Sequence, residues 1–167
     1  MITKNILRFI FVLVLQILIF NNIQLSGYIN PHFYILFILL LPIKTPAWLS
    51  MLSAFILGSI IDIFSLSPGL HASASVLIAF IRPTIISLIK TNSEVKPEIT
   101  PNLNNMGFRW FTSYVFLLIF IHHTIYFILE VFSFRHIFDT FYHIIISSFA
   151  TFVLIILSQL FIYKRNT

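Results

Sequence analysis

Ala47-Trp-Leu-Ser-Met-Leu-Ser-Ala-Phe-Ile-Leu-Gly58-Ser-Ile-Ile-Asp62-Ile-Phe-Ser-Leu-Ser-Pro-Gly69-Leu-His71-Ala72 holds one apolar run, a Ser-Leu-Ser-Pro-Gly break and the start of a second run that continues to Ile89. Each run is close to the roughly 20 residues that a helix needs to cross a bilayer. Ser50, Ala54 and Gly58 recur every four residues, and Asp62 continues the row. Small residues at that spacing let a neighbouring helix approach closely. The stretch therefore predicts a tight antiparallel hairpin of two membrane helices, with Asp62 beside its turn.

The same pattern fills the chain. Of 167 residues, 59% are hydrophobic and 9% charged, against about 25% charged in soluble domains; the mean hydropathy is +1.00. Water cannot solvate so uncharged a surface, so the expected solvent is the lipid bilayer and the expected fold is an all-α integral membrane protein. We expect a single polytopic domain over 1–167, with helices at about 5–25, 33–43, 47–64, 70–89, 108–132 and 140–163 and a flexible cytoplasmic linker at 91–107. The basic residues flank apolar runs and form no patch, which argues against nucleic acid. With no cysteine, thiolate metal sites, disulfides and cysteine nucleophiles are excluded.

The 33–43 segment is short and runs into Pro42. The positive-inside rule tests whether it crosses. If it does, Lys4, Arg8, Lys44, Lys90, Lys96, Arg109, Lys164 and Arg165 share the cytoplasmic side and Arg135 alone is outside, eight against one. If it does not, the score is three against six. The segment is therefore expected to cross as a thin or proline-broken helix, giving six transmembrane helices and two cytoplasmic termini. Trp48 and Trp110 then fall at the cytoplasmic interface. Lys4 and Arg8 ahead of an apolar run also fit a signal peptide, but no small-x-small cleavage pattern follows, so the first helix is expected to be retained.

Polar residues within such helices face protein. His122, His123, Tyr126 and Glu130 share one face of the fifth helix, and Asp139, His143, Ser147 and Thr151 one face of the sixth. Two histidines and a carboxylate can hold a metal, but adjacent histidines diverge by about 100° and no HExxH spacing is present. Interhelical hydrogen bonding is the expected role, with no metal or cofactor. Asp62 should be held by amides of the turn or by His71, near the positive end of the next helix. Arg82 has no acid at its depth and should snorkel toward the cytoplasmic side, bond carbonyls freed by Pro83, or meet Gln16. Asp62, Glu130, Asp139, His71, Arg135, His136 and His143 all fall at the extracytoplasmic end in this topology, which marks that end as a cavity or partner surface.

The Gly58–Ala72 stretch, together with Leu15-Gln16, Asn21-Asn22, the length and the helix order, resembles the rod shape-determining protein MreD family. The resemblance covers essentially the whole chain, least well at 91–107. It implies a fold similar to the substrate-binding subunits of energy-coupling-factor transporters, with Gly58, Asp62 and Gly69 as motif positions and no catalytic residue. It also implies a non-enzymatic role in lateral peptidoglycan synthesis beside an MreC-like bitopic partner, an MreB-like filament and a cell-wall transglycosylase and transpeptidase. The vitamin-transporter subunit itself is the alternative. The topology predicts that cysteine at Ser67 reacts with an impermeant thiol reagent in intact spheroplasts and cysteine at Asn102 does not; labelling at Asn102 alone overturns it.

Overall fold

The computed structural model describes residues 2–22, 30–89, 99–131 and 137–165, which form helices, turns and short irregular stretches. Helix α1 (Ile2–Leu15) runs into a π-helical turn (Gln16–Phe20). There follow α2 (Ile35–Leu39), α3 (Ala47–Ser65), α4 (Leu70–Leu88), α5 (Leu103–Met106), α6 (Phe108–Val131) and α7 (Ile137–Arg165). Residues 23–25, 91–98 and 132, and with them Lys90, Lys96, Arg135 and His136, lie outside the described residues.

Among the described residues, five helices are long and apolar enough to cross a membrane: Thr3–Phe20, Ala47–Ser65, Leu70–Leu88, Phe108–Val131 and Phe138–Tyr163. Their outward faces carry Phe11, Leu18, Phe55, Ile63, Phe80, Phe116, Phe149 and Phe161. Inside lie Gln16, His32, Ser50, Asp62, His71, Arg82, His122, His123, Ser147, Thr151 and Gln159. An apolar outer face over an interior that mixes apolar and polar side chains suits lipid and not water.

The hairpins α3–α4 and α6–α7 pack through α4 and α6. His71 meets Tyr126 near one end of that pair, and Trp110 Nε1 donates to Ile89 O (3.1 Å) near the other, so α4 and α6 are antiparallel. We call the end that carries the α3–α4 turn the turn end.

The 33–43 segment differs from its expectation. Its helix is five residues long, Ile35–Leu39, too short to span. Proline explains the brevity, since Pro42 restricts the residue before it to extended backbone. The chain nevertheless returns along α1. Gln16 Nε2 donates to Pro31 O (3.1 Å) and Arg8 Nη1 to Leu40 O (2.7 Å), which orders the two strands of chain antiparallel. Phe33 to Leu41 are all buried. This return segment thus traverses the bundle interior and meets little or no lipid. Starting at the end away from the turn, the elements alternate so that the starts of α1 and α3 and the end of α7 share that end.

Arg82 is 1% exposed. Its Nη2 donates to Leu41 O and its Nε to Tyr114 Oη (2.8 Å), and Tyr114 Oη in turn donates to Leu39 O (3.0 Å). The carbonyls it serves belong to the return segment and not to the Pro83 turn, and Gln16 is not its partner. Trp48 is exposed at the start of α3, whereas Trp110 is buried and stacked on Tyr114. The second half of the expected linker is packed: Ile99 O accepts from Ile43 N (3.1 Å), and Leu103 and Met106 are buried.

Replacing Arg82 with Leu should orphan the Leu41 carbonyl and loosen Tyr114. Loss of the charge-assisted bonds, partly offset by relief of guanidinium burial, is expected to cost about 1–3 kcal/mol. Thermal unfolding in detergent measures it. A wild-type midpoint would mean that these bonds do not hold the return segment.

Candidate functional site

The α3–α4 turn is built by Gly58, Asp62 and Gly69. Asp62 Oδ1 accepts from His71 N (2.9 Å) and Ser67 Oγ (2.8 Å), and Oδ2 from Ala72 N (2.9 Å). These two amides are among the four that a helix start leaves without partners, so Asp62 caps α4 from the neighbouring helix. The positive end of the α4 dipole favours the carboxylate there. The expectation that turn amides hold Asp62 agrees with this; the His71 ring is not its partner.

A Cβ on Gly58 would stand 2.5 Å from Ala72 Cα and 2.7 Å from Ala72 N. Backbone cannot yield to it, so the small-residue row brings α4 close enough for Asp62 to reach its amides. Gly69 takes φ +79° as the N-cap of α4. At the apex, Leu66 adopts φ 54° and is 90% exposed. Ser67, by contrast, is buried on Asp62, so Leu66 is the better labelling position for the turn.

Behind the turn lies a cluster of rings. Tyr34 Oη lies 3.0 Å from His71 Nδ1 and 2.8 Å from His122 Nε2, joining the return segment, α4 and α6. His123 Nδ1 lies 2.9 Å from Ile119 O, and its Nε2 is 3.2 Å from Thr151 Oγ1 on α7. His32, from the return segment, stacks on His123 with centroids 4.7 Å apart and stands edge-on to His71 at 4.9 Å. Above them, at the turn end, opens a cavity of about 600 Å³ lined by Gln16, Asn21, Asn22, Asn30, His32, Ser65, His71, Tyr126 and Glu130, among others.

The structure therefore brings His71 and Glu130 to one cavity, with Asp62 holding the backbone beneath His71 and His122 buried behind the lining against Tyr34 Oη. Glu130 is exposed and accepts from Tyr126 Oη (3.3 Å). Gly58 and Gly69 shape the turn and do not line this cavity. Arg82 lies apart, toward the opposite end. Asp139 is exposed on α7, and His143 rests against Phe127, its ring centroid 5.7 Å away; neither lines the cavity. Sequence reasoning missed His32 and Tyr34. The signal available was a His-Phe-Tyr triplet directly after Pro31, polar rings at the head of an apolar run. Comparison with protein-family models, curated proteins and solved structures finds no match.

Asparagine at position 62 keeps one acceptor but turns an NH2 group toward an amide N–H. Asp62→Asn should therefore cost about 1–2 kcal/mol, a cap loss with an orphaned donor added. Gly58→Ala should cost at least as much, because α4 must move away. Unfolding midpoints in detergent check both, and an unchanged Gly58→Ala midpoint would refute the close approach.

Proposed function

We propose that this chain is a non-enzymatic, multi-pass component of a bacterial cytoplasmic membrane that takes part in cell elongation through an MreC-like partner. In this reading an MreB-like filament and a cell-wall transglycosylase and transpeptidase belong to the same assembly. Both termini are cytoplasmic, and the return segment supplies the sixth pass of a fold similar to an energy-coupling-factor substrate-binding subunit.

The observation that carries the reading is the apex of the α3–α4 turn. Leu66 sits in left-handed backbone, which costs an L side chain about 1–2 kcal/mol relative to glycine. A helix C-terminus alone favours glycine at such a position. Here the turn is buttressed by Asp62 and Gly58 and presents a leucine side chain at its tip. A rigid, apolar, strained apex suits recognition by another protein better than it suits chain reversal. It also lies in the stretch that carries the resemblance to MreD proteins.

The cavity beside the turn favours the second reading, a vitamin-binding transporter subunit, because its polar walls can take a small ligand. The two part on simple observations. Genes for an actin-like filament, a coiled-coil periplasmic protein and a transpeptidase nearby support elongation; a nearby ATPase pair supports transport.

Depleting the protein should round a rod-shaped cell, and affinity purification should recover an MreC-like protein. Leu66→Gly should leave membrane abundance equal or higher and reduce that recovery severalfold. Normal rods after complete deletion, with uptake of one vitamin impaired, would replace this reading with the transporter one.

A further inference from the structure

The ring cluster contains more nitrogen than its hydrogen bonds use. His32, His122 and His123 each offer one ring nitrogen, and the three nitrogens lie within 4.8 Å of one another. All three residues are 2% exposed or less. Nδ1 of His32 and Nδ1 of His122 are buried without a hydrogen-bond partner among the described residues. Buried polar atoms are nearly always paired, so two orphans in one cluster need a cause. Packing alone gives none, since leucine or phenylalanine would fill the same space.

We propose that His32, His122 and His123 bind one divalent transition-metal ion of the zinc class, admitted through the cavity at the turn end. Imidazole is a borderline donor that suits zinc, cobalt, nickel and copper, whereas magnesium and calcium demand oxygen. Three histidines with a further position open to water are an established zinc-binding set. The divergence of adjacent histidines, which weighs against a metal when His122 and His123 are considered alone, is bridged here because the third ligand comes from another segment. The His32 ring stands 5.3 Å from that of His122 and 4.7 Å from that of His123. Nitrogens on a tetrahedral zinc lie roughly 3.3 Å apart, given Zn–N bonds of about 2.0–2.1 Å, so modest side-chain rotations close the set.

The surroundings orient the ligands as metal sites require. A ligating histidine holds its second ring nitrogen on a carbonyl or other fixed group. His123 Nδ1 does so on Ile119 O, which leaves the Nε2 lone pair for metal in place of its bond to Thr151. His122 Nε2 does so on Tyr34 Oη, which leaves the orphaned Nδ1. Opposing charge stands near: Glu130 on the cavity wall, and Asp62 on the backbone of His71. The site is independent of the elongation reading.

The test uses the full chain in nanodiscs, purified through a histidine-free tag, stripped with chelator and titrated with Co²⁺ alone. One equivalent should develop visible d–d bands of a four- or five-coordinate nitrogen-rich site, and Zn²⁺ should abolish them. His32→Ala and His122→Ala should each weaken binding tenfold or more. Thr124→Ala, on the same helix with its hydroxyl on Phe120 O (2.7 Å), should not. Zn²⁺ should raise the unfolding midpoint of the wild type and of Thr124→Ala only. Absence of the bands, or undiminished binding by His32→Ala, overturns the proposal. If the alanine variants fail to fold, X-ray absorption of the wild-type Co²⁺ complex decides, and fewer than three nitrogen donors overturns it.

Discussion

A backbone that is not a spanning helix cannot meet lipid with its amides and carbonyls bare. The return segment from Asn30 to Ile43 is such a backbone, and the interior of this protein is arranged around it. Ser147 accepts from Asn30 N, Thr151 from His32 N and Gln16 from Tyr34 N. Gln16 donates to Pro31 O, Tyr114 to Leu39 O, Arg8 to Leu40 O and Arg82 to Leu41 O. Three long helices, α4, α6 and α7, and α1 with its π-helical turn thus each give up part of an apolar face to polar side chains. The cost of burying those side chains is offset because each answers a backbone group that would otherwise be orphaned. Arg82, buried with no acid partner among the described residues, makes sense on the same terms.

This constraint also explains the division between the two ends. At the end away from the turn the segment's carbonyls need cations, and Arg8 and Arg82 supply them. Toward the turn end the segment exposes amides, which hydroxyls and a glutamine can answer while staying neutral. Among the described residues that end holds no buried arginine or lysine, and it gathers histidines, tyrosines and a carboxylate round a cavity. The Asp62 cap closes the same end. By replacing the water that the first amides of α4 would otherwise need, it lets α4 begin inside the protein with His71 facing the cluster.

Much of this was legible in the sequence. Apolar runs near membrane length located the long helices, since length and hydropathy answer to the bilayer alone. The Ser50, Ala54, Gly58 row foretold the tight hairpin, and the acid at its end foretold the cap, because both depend on local spacing. The charge balance led to the expectation of a crossing helix at 33–43; the structure shows there a five-residue helix in a backbone that runs back along α1. Its form was not legible: Pro42 showed where a helix must stop, but not that the broken backbone stays inside protein. Arg82 held the missing clue. A cation at mid-membrane with no acid at its depth needs carbonyls that are not already in a helix. Trp110 misled for a similar reason, since an amphipathic ring at a helix start fits either the lipid interface or a buried carbonyl such as that of Ile89. The packing of Ile99, Leu103 and Met106 was hidden within a stretch whose prolines and asparagines read as linker.

Histidines 32, 122 and 123 stand apart from the other buried polar groups in what they do for the segment. Serine, threonine, glutamine, tyrosine and arginine side chains are spent on its backbone. Of the three imidazoles only that of His123 reaches the segment's backbone, at Asn30 where the segment begins; one ring nitrogen meets Tyr34 Oη, one meets Ile119 O and one meets Thr151 Oγ1. If satisfying the return segment were their whole purpose, smaller hydroxyl side chains would do it with less buried polarity. Irregular backbone inside membrane proteins is tolerated where it lines a site as well as where protein covers it. Here it does both, covered along Phe33–Leu41 and open to the cavity at His32. The break in the helix is what carries a third histidine to the pair on α6.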